Sequence, residues 1–254
     1  MVRLLSIVVP TLNEEGQVGA LLRSLRAQTF QDFETIVIDG GSSDRTTEIC
    51  LKGGASVSVI EGLGEFQSRN FGAKIAKGDV LVFSCADVVF PHDLLKEMSS
   101  KFEDRSLLAL AHATIPSQGS FVLRFEYELY NVIRYISSKM PFPLRRFSSS
   151  TNFLAVRKSV FDILGGFEND INADGLLGRK LVQMGKTYFG LRNPLIASDR
   201  RANYMGLMEF NKHYLYMLEN FIWPVSKSRW LQKMKLKRRT DHKKMHLEQD
   251  RPMS

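Results

Sequence analysis

The sequence predicts an α/β protein: a single sheet flanked by helices, followed by a helical and basic C-terminal extension. Three observations carry that expectation. Apolar, β-branched runs alternate with amphipathic stretches in a strand–helix–strand–helix rhythm up to residue 84, the pattern of parallel βαβ units. Polar clusters fall at the carboxyl ends of three of those runs, where the ligands of such sheets sit. Positive charge is gathered at the far C-terminus and not on the body.

In order, Leu5 to Pro10 reads as a buried strand, and Gly16 to Gln28 carries Val18, Leu21, Leu22 and Leu25 at helical spacing. Phe33 to Asp39 is a second strand that runs into the turn Gly40-Gly41-Ser42-Ser43-Asp44, with a helix from Arg45 to about Lys52. Ala55 to Ile60 is a third strand, Gln67 to Ala76 a helix, and Asp79 to Ser84 a fourth strand. The second half is less regular. Phe121 to Ser137 reads as an amphipathic helix, facing either the core or a lipid surface, and Met140-Pro141-Phe142-Pro143 ends it. A strand at Asn152 to Val156 and a short helix at Ser159 to Leu164 lead into Gly165-Gly166. Leu176 to Met184 is helical and stops at Gly185. Tyr188 to Ile196 is a last strand, and Leu207 to Phe221 a Tyr/Leu/Met-rich helix ended near Trp223-Pro224.

A chain of 254 residues fits one large domain or two small ones. Apolar content of 44% and charged content of 24% are those of a globular protein. Cys50 and Cys85 match no zinc or redox spacing, so a reducing, cytoplasmic setting is expected. The N-terminus runs directly into a strand and shows no signal peptide. No apolar stretch approaches the ~18 residues of a spanning helix. Between Lys227 and Arg251 stand ten Lys/Arg against three acids, a net +7 of the chain's total +8. Such a tail suits an anionic membrane surface or nucleic acid, or is a solvated terminus. Nucleic acid is not an expected partner of the nearly neutral body. None of the five histidines sits in a ligand-spaced cluster.

The chemistry gathers at the strand ends. Two carboxylates one residue apart at such an end would cradle a divalent cation and the diphosphate it carries. In Cys85-Ala86-Asp87 the first of those places holds a cysteine, a poor ligand for hard cations. Asp39 at the end of the second strand can pair with the N–H donors of a base, or serve as the turn-forming residue ahead of Gly40-Gly41. Asp44 reads as a helix N-cap sooner than as a ligand contact.

The segments Val8-Val9-Pro10-Thr11-Leu12-Asn13-Glu14-Glu15 and Ile36 to Thr46 resemble the opening of the inverting family 2 glycosyltransferases. Ser68-Arg69-Asn70-Phe71-Gly72-Ala73 and Ala76-Lys77-Gly78-Asp79 continue the likeness in order. It extends over about residues 5–206 and is most specific in the first hundred. It implies the GT-A fold, a single domain over 1–206 with a Rossmann-like mixed sheet, a nucleotide-binding half (about 1–95), an acceptor half (about 96–206) and the extension 207–254. It also implies a nucleoside-diphosphate sugar donor. Asp39 would read the base, and Pro10, Thr11, Asn13 and Glu14 would shape the base and ribose pocket. Arg69 would pair with phosphates through its planar fork. Ala86 and Asp87 would line the diphosphate, with Asp87 alone holding Mg²⁺ or Mn²⁺, weakly.

An inverting transfer needs a base on the acceptor hydroxyl. The family places it in a Glu-Asp pair, which falls here on Ala173-Asp174, so Asp174 is the candidate base, or else an N-cap for the following helix. Gly165-Gly166-Phe167-Glu168 matches the turn ahead of it. Ser198-Asp199-Arg200-Arg201 resembles a Ser-x-Arg-Arg loop of one branch of the family. There Arg200 and Arg201 would stabilise the leaving diphosphate, or are plain surface charge. The expected acceptor is a glycan or polyprenyl lipid, with the protein peripheral on the inner face of the cell membrane. The losses at Cys85 and Ala173 open an alternative: a glycosyltransferase-like protein that binds nucleotide sugar without turnover.

Overall fold

The computed structural model describes residues 4–141, 144–147, 149–170 and 172–200. Eight strands form one sheet: β1 Leu5–Thr11, β2 Phe33–Asp39, β3 Ser56–Val59, β4 Val80–Ser84, β5 Val88–Val89, β6 Leu107–Pro116, β7 Phe153–Arg157 and β8 Lys186–Ala197. Seven helices flank it: α1 Val18–Arg26, α2 Thr46–Lys52, α3 Glu65–Ile75, α4 Leu94–Lys101, α5 Phe121–Lys139, α6 Lys158–Ile163 and α7 Ala173–Met184. The sheet order is β3-β2-β1-β4-β7-β6-β8-β5. The first four of these strands are parallel, while β7 runs antiparallel to both β4 and β6.

Period-two alternation divides the core between the two faces of the sheet. On one side Leu5, Ile7 and Val9 of β1 pack with Leu21, Leu25, Leu94 and Met98 of α1 and α4. On the other, Val8, Ile38, Leu81 and Phe83 pack with Ala73, Phe161, Phe167 and Leu177. Helix α3 lies unusually close to the sheet. A Cβ at Gly72 would stand 2.3 Å from Val8 Cγ1, so only glycine fits at the crossing.

The expected elements of the first 84 residues are present to within two residues at each boundary. Three elements add to the expectation: β5, α4 and β6. Strand β6 reads LLALAHATIP, buried on both faces at nearly every position. Such a run has no period to separate strand from buried helix. Helix α7 begins at Ala173, earlier than Leu176, and its N-cap is Asn172. Asp174 is thus not the N-cap but lies in the first turn, where the helix dipole favours a carboxylate. The helix expected at Leu207 to Phe221, Arg201 and the basic tail lie outside the described residues.

His112, on β6, is buried against Phe153 and Gly190. Burial, with a smaller contribution from the nearby Arg134 cation, pushes its imidazole from the usual 6.5 down to about 4. The unfolded chain therefore binds the extra proton first as pH falls. The stability held above pH 6.5 is lost progressively towards pH 4, about 3 kcal/mol for this one group. His112→Phe is expected to flatten that part of the stability–pH curve in urea titrations. An unchanged slope would mean that His112 is not enclosed.

Candidate functional site

The site is built on the carboxyl ends of β1, β2 and β4. Thr11 and Asp39 end neighbouring strands in register. The Asp39 carboxylate is fully buried and accepts four hydrogen bonds. Its Oδ1 accepts from the N–H groups of Gly41 (3.0 Å) and Ser42 (2.7 Å), and its Oδ2 from the hydroxyls of Thr11 (2.7 Å) and Ser42 (2.6 Å). A carboxylate offers about four acceptor positions, and all four are taken. Gly41 turns the chain here with φ +97°, and a Cβ on it would meet Glu61 Cγ at 2.8 Å.

The two loops beyond Thr11 and Asp39 are zipped together. Asn13, at φ +52°, a conformation Asn tolerates, donates its N–H to Ser42 Oγ and accepts from Ser43 N–H at 2.9 Å. Glu14 N–H donates to Thr46 Oγ1, Glu15 N–H to Asp44 Oδ2, and Arg45 N–H back to Glu15. Asp44 also accepts the Thr46 N–H, so it opens α2 as a cap-type residue one place before Arg45.

Beyond β4 the segment Cys85-Ala86-Asp87 leads into β5. Its first residue is held from beneath by Arg69, which is fully buried. The Arg69 guanidinium donates to Glu65 at 2.6 Å, to the Ser84 carbonyl at 3.3 Å and to Cys85 Sγ at 3.5 Å. Burial, the largest single influence, would lower its pKa, but the charge and hydrogen bond of Glu65 together with the influence of Cys85 and Asp174 outweigh it, and the pKa is raised. Because β7 is antiparallel to β4, Thr151 and Asn152 come alongside, and Cys85 Sγ lies 3.6 Å from both the Thr151 carbonyl and Asn152 Oδ1.

Two residues on, Asp87 is half-buried, and its carboxylate receives no hydrogen bond from the described residues. Its carbonyl accepts the Ser198 N–H at 2.9 Å, which brings the end of β8 over the site. There Arg200 pairs with Glu14 across 2.9 Å, joining residues 186 positions apart. Burial pushes the Glu14 carboxyl up and Arg200 only partly opposes it, with Asp87 adding to the rise. Glu14 Oε2 is buried with no partner among the described residues. Asp87 and Glu14 both raise the Arg200 pKa against the effect of its burial. Glu14, Asp87 and Arg200 thus form one electrostatic unit at the rim.

Asp174 approaches from α7. It lies in the first turn of that helix. Its Oδ1 accepts the Gly175 N–H at 2.8 Å, and Ser149 Oγ donates to its carbonyl. The turn before α7 is clasped by Asn70, which donates to the Phe167 carbonyl (2.8 Å) and accepts the Phe167 N–H (2.9 Å).

A family model, Glycosyl transferase family 2, matches residues 6–164. The chain belongs to this family. Its fold is that of GT-A glycosyltransferases. The mannosyltransferase of Pyrobaculum calidifontis, solved with GDP-mannose and Mn²⁺, superimposes with a TM-score of 0.69 at 20% identity, covering 91% of this chain and 67% of that one. Glucosyl-3-phosphoglycerate synthase of Mycobacterium tuberculosis, solved with Mn²⁺, UDP and phosphoglyceric acid, gives 0.59 at 17% identity, covering 89% and 80%. In sequence, the chain is similar to an O-antigen chain rhamnosyltransferase of Salmonella anatum, 27% identical over 223 residues, 82% of this chain and 70% of the relative. Over 101 residues it is 35% identical to the undecaprenyl-phosphate 4-deoxy-4-formamido-L-arabinose transferase of Aeromonas hydrophila, covering 35% of this chain and 31% of that one.

Two residues expected to touch the donor are engaged within the protein. Asp39 accepts four hydrogen bonds, from Thr11, Gly41 and Ser42. Arg69 does not present its fork to the cleft, because Glu65, Ser84 and Cys85 enclose it. Thr11 is buried in the Asp39 clamp, Pro10 pairs with Ile38 near the end of β1, and Ala86 is buried between β4 and β5. Asp87, Glu14 and Arg200 do converge. Asn70, Ser42 and Glu65 position the site without having been marked by type. Asn70 and Ser42 were nevertheless inside the family-like segments.

Asp39→Ala strands four donors, two of them backbone N–H groups. With ~1–3 kcal/mol for a buried group left unsatisfied, a loss of roughly 3 kcal/mol in urea unfolding is expected. A loss below ~0.5 kcal/mol, the scatter of neutral surface changes, would show that the loops hold without the clamp.

Proposed function

We propose that this chain is an inverting glycosyltransferase that moves a hexosyl group from a nucleoside-diphosphate sugar to a hydroxyl or lipid-phosphate acceptor. The observation that carries the reading is the meeting of Asp87, Glu14 and Arg200 at the carboxyl edge of a family 2 sheet. In this reading residues 1–95 hold the nucleotide and 96–206 the acceptor.

The acceptor oxygen attacks the anomeric carbon as the bond from that carbon to the diphosphate oxygen breaks. The diphosphate leaves with the bonding electron pair, and Asp174 takes the acceptor proton, where the acceptor is a hydroxyl. Arg200, released from Glu14 or shared with it, faces the leaving diphosphate, and Arg201 is assigned the same part. The unpartnered Glu14 Oε2 suits a ribose hydroxyl donor. Pro10, Thr11 and Asn13 shape the pocket through a loop that Asp39 fixes, and Arg69 holds Cys85-Ala86-Asp87 in place.

The described residues contain no group of three or more His, Cys, Asp or Glu that would by itself hold a metal. A single hard carboxylate still fits Mg²⁺ or Mn²⁺, which are commonly held by one or two carboxylates together with substrate phosphates and water. Asp87 is that ligand, and the cation when bound offsets charge on the diphosphate. The named activity of the Aeromonas relative supports a polyprenyl-phosphate acceptor. The +7 tail supports contact with an anionic, cytoplasmic membrane face. No helix among the described residues is long and apolar enough to cross a membrane.

Calorimetry with UDP and GDP, each with and without Mn²⁺, is expected to give metal-dependent binding of one nucleotide that Asp87→Asn abolishes. Failure of both nucleotides to bind a folded sample would overturn the donor assignment. Asp174→Asn is expected to lower kcat at least ~100-fold, within the range of general acid–base contributions, while nucleotide affinity holds. An unchanged kcat would remove Asp174 from the chemistry. Cys85 and Ala173, where the family has acids, favour the second reading, binding without turnover. Cys85→Asp separates the two: a large gain in turnover marks a decayed site, and no change or a loss marks an adapted one. Pelleting with phosphatidylglycerol vesicles is expected to be lost when the chain ends at residue 226.

A further inference from the structure

The segment between α5 and β7 brings two arginines together. It is tied to the end of α5 by the Arg146 N–H, which donates to the Ser137 carbonyl at 3.0 Å. It then lies directly on α7. A Cβ at Gly178 would stand 2.5 Å from the Phe147 carbonyl oxygen and 2.6 Å from Ser149 Oγ, so glycine is what lets segment and helix touch. Arg146 precedes Phe147 and Arg179 follows Gly178, so the contact sets the two arginines beside each other at its edge. Both are half-buried. Burial lowers the Arg179 pKa, and the Arg146 cation lowers it further.

A guanidinium does not shed its charge near neutral pH. Two of them held together in partial burial are an unfavourable pair. The pair becomes favourable when an anion accepts N–H groups from both. Neither arginine belongs to the rim unit of Glu14, Asp87 and Arg200.

The course of the segment says to which substrate that anion belongs. Three residues after Arg146, Ser149 donates to the Asp174 carbonyl. The Thr151 carbonyl and Asn152 then lie 3.6 Å from Cys85 Sγ. One stretch of chain thus passes from the arginine pair, by α7 at Asp174, to the end of β4. Arg179 stands five residues beyond Asp174, ~7 Å along the helix axis. Seen from β4, the pair lies past Asp174, on the acceptor side of the proposed transfer.

We propose that Arg146 and Arg179 bind a phosphate group carried by the acceptor. The inference rests on the transferase reading above and adds the chemical class of the acceptor: a sugar or a lipid that bears phosphate. Two planar forks would grip the phosphate oxygens and position the acceptor for attack.

The test is calorimetry on the full-length protein with two probes, glucose 1-phosphate and farnesyl phosphate below its micellar concentration, each with and without saturating nucleotide. At least one probe is expected to bind, and Arg146→Gln and Arg179→Gln should each weaken it at least ~10-fold, the loss of a hydrogen bond to a charged group, with nucleotide affinity unchanged. Arg146→Lys and Arg179→Lys, which keep the charge and lose the fork, should fall in between. They decide the matter should a glutamine variant lose its far-UV circular dichroism. Lys180→Gln, which removes a neighbouring cation paired with Glu168, should change nothing. Arginine-dependent binding of glucose 1-phosphate assigns the phosphate to a sugar, and of farnesyl phosphate to a lipid; either supports the subsite. Binding of neither probe, or binding that the arginine variants leave intact, overturns it. Arginine-dependent probe binding in a protein that takes up no nucleotide would overturn the donor assignment and leave this subsite standing.

Discussion

The arrangement of the site depends on one buried cation. Arg69 has lost all contact with solvent, and an uncompensated charge in that position costs several kcal/mol even after relaxation. Glu65, one turn earlier on α3, supplies the counter-charge, and the Ser84 carbonyl and the Cys85 sulfur take further N–H groups. The result is a bolt between α3 and the end of β4. The next residue, Asn70, bonds both ways to Phe167 and fixes the turn that precedes Asp174. One helix thereby sets the position of both Asp87 and Asp174. It can do so because Gly72 lets α3 settle against Val8.

Two kinds of carboxylate result. Asp39 and Asp44 accept hydrogen bonds from their own loops, and they make a rigid rim from segments that would otherwise need ordering when a ligand arrives. Asp87 and one oxygen of Glu14 keep acceptor capacity at that rim. Separating the groups that build the loops from the groups that face a ligand is what preorganisation requires. The Arg200–Glu14 pair extends the same logic across the chain, because it holds the end of β8 against the β1 loop with a cation that a diphosphate would also attract.

Much of this was legible in the sequence, for identifiable reasons. Strands β1, β2 and β4 are short β-branched runs ended by Thr11, Asp39 and Ser84, and the alternation with helical spacing fixes their order. The antiparallel insertion of β7 was not legible, since nothing in Phe153-Leu154-Ala155-Val156 encodes direction. Strand β6 was hidden by burial on both faces. The acidic residues were readable as a set, but not which of them would be consumed internally. Asp39 and Asp87 both follow apolar strands. Only the donors that surround each one distinguish them, and Ser42 and Thr11 look like ordinary loop residues until they are brought together. Arg69 was legible as a cation but not as a buried one, because burial depends on a helix-to-sheet distance that the chain reports only through Gly72.

Cys85 has a physical account once Arg69 is in view. Its sulfur is directed at the guanidinium, the Thr151 carbonyl and Asn152, while the Asp87 charge acts on Glu14 and Arg200. A carboxylate at position 85 would stand as a second acid beside a cation that Glu65 already neutralises at 2.6 Å. With cysteine at this position Glu65 remains the one carboxylate bonded to the Arg69 guanidinium, and the sulfur offers it a soft acceptor. The electrostatics that keep β4, α3 and the Asp87 segment together are therefore complete without an acid at position 85.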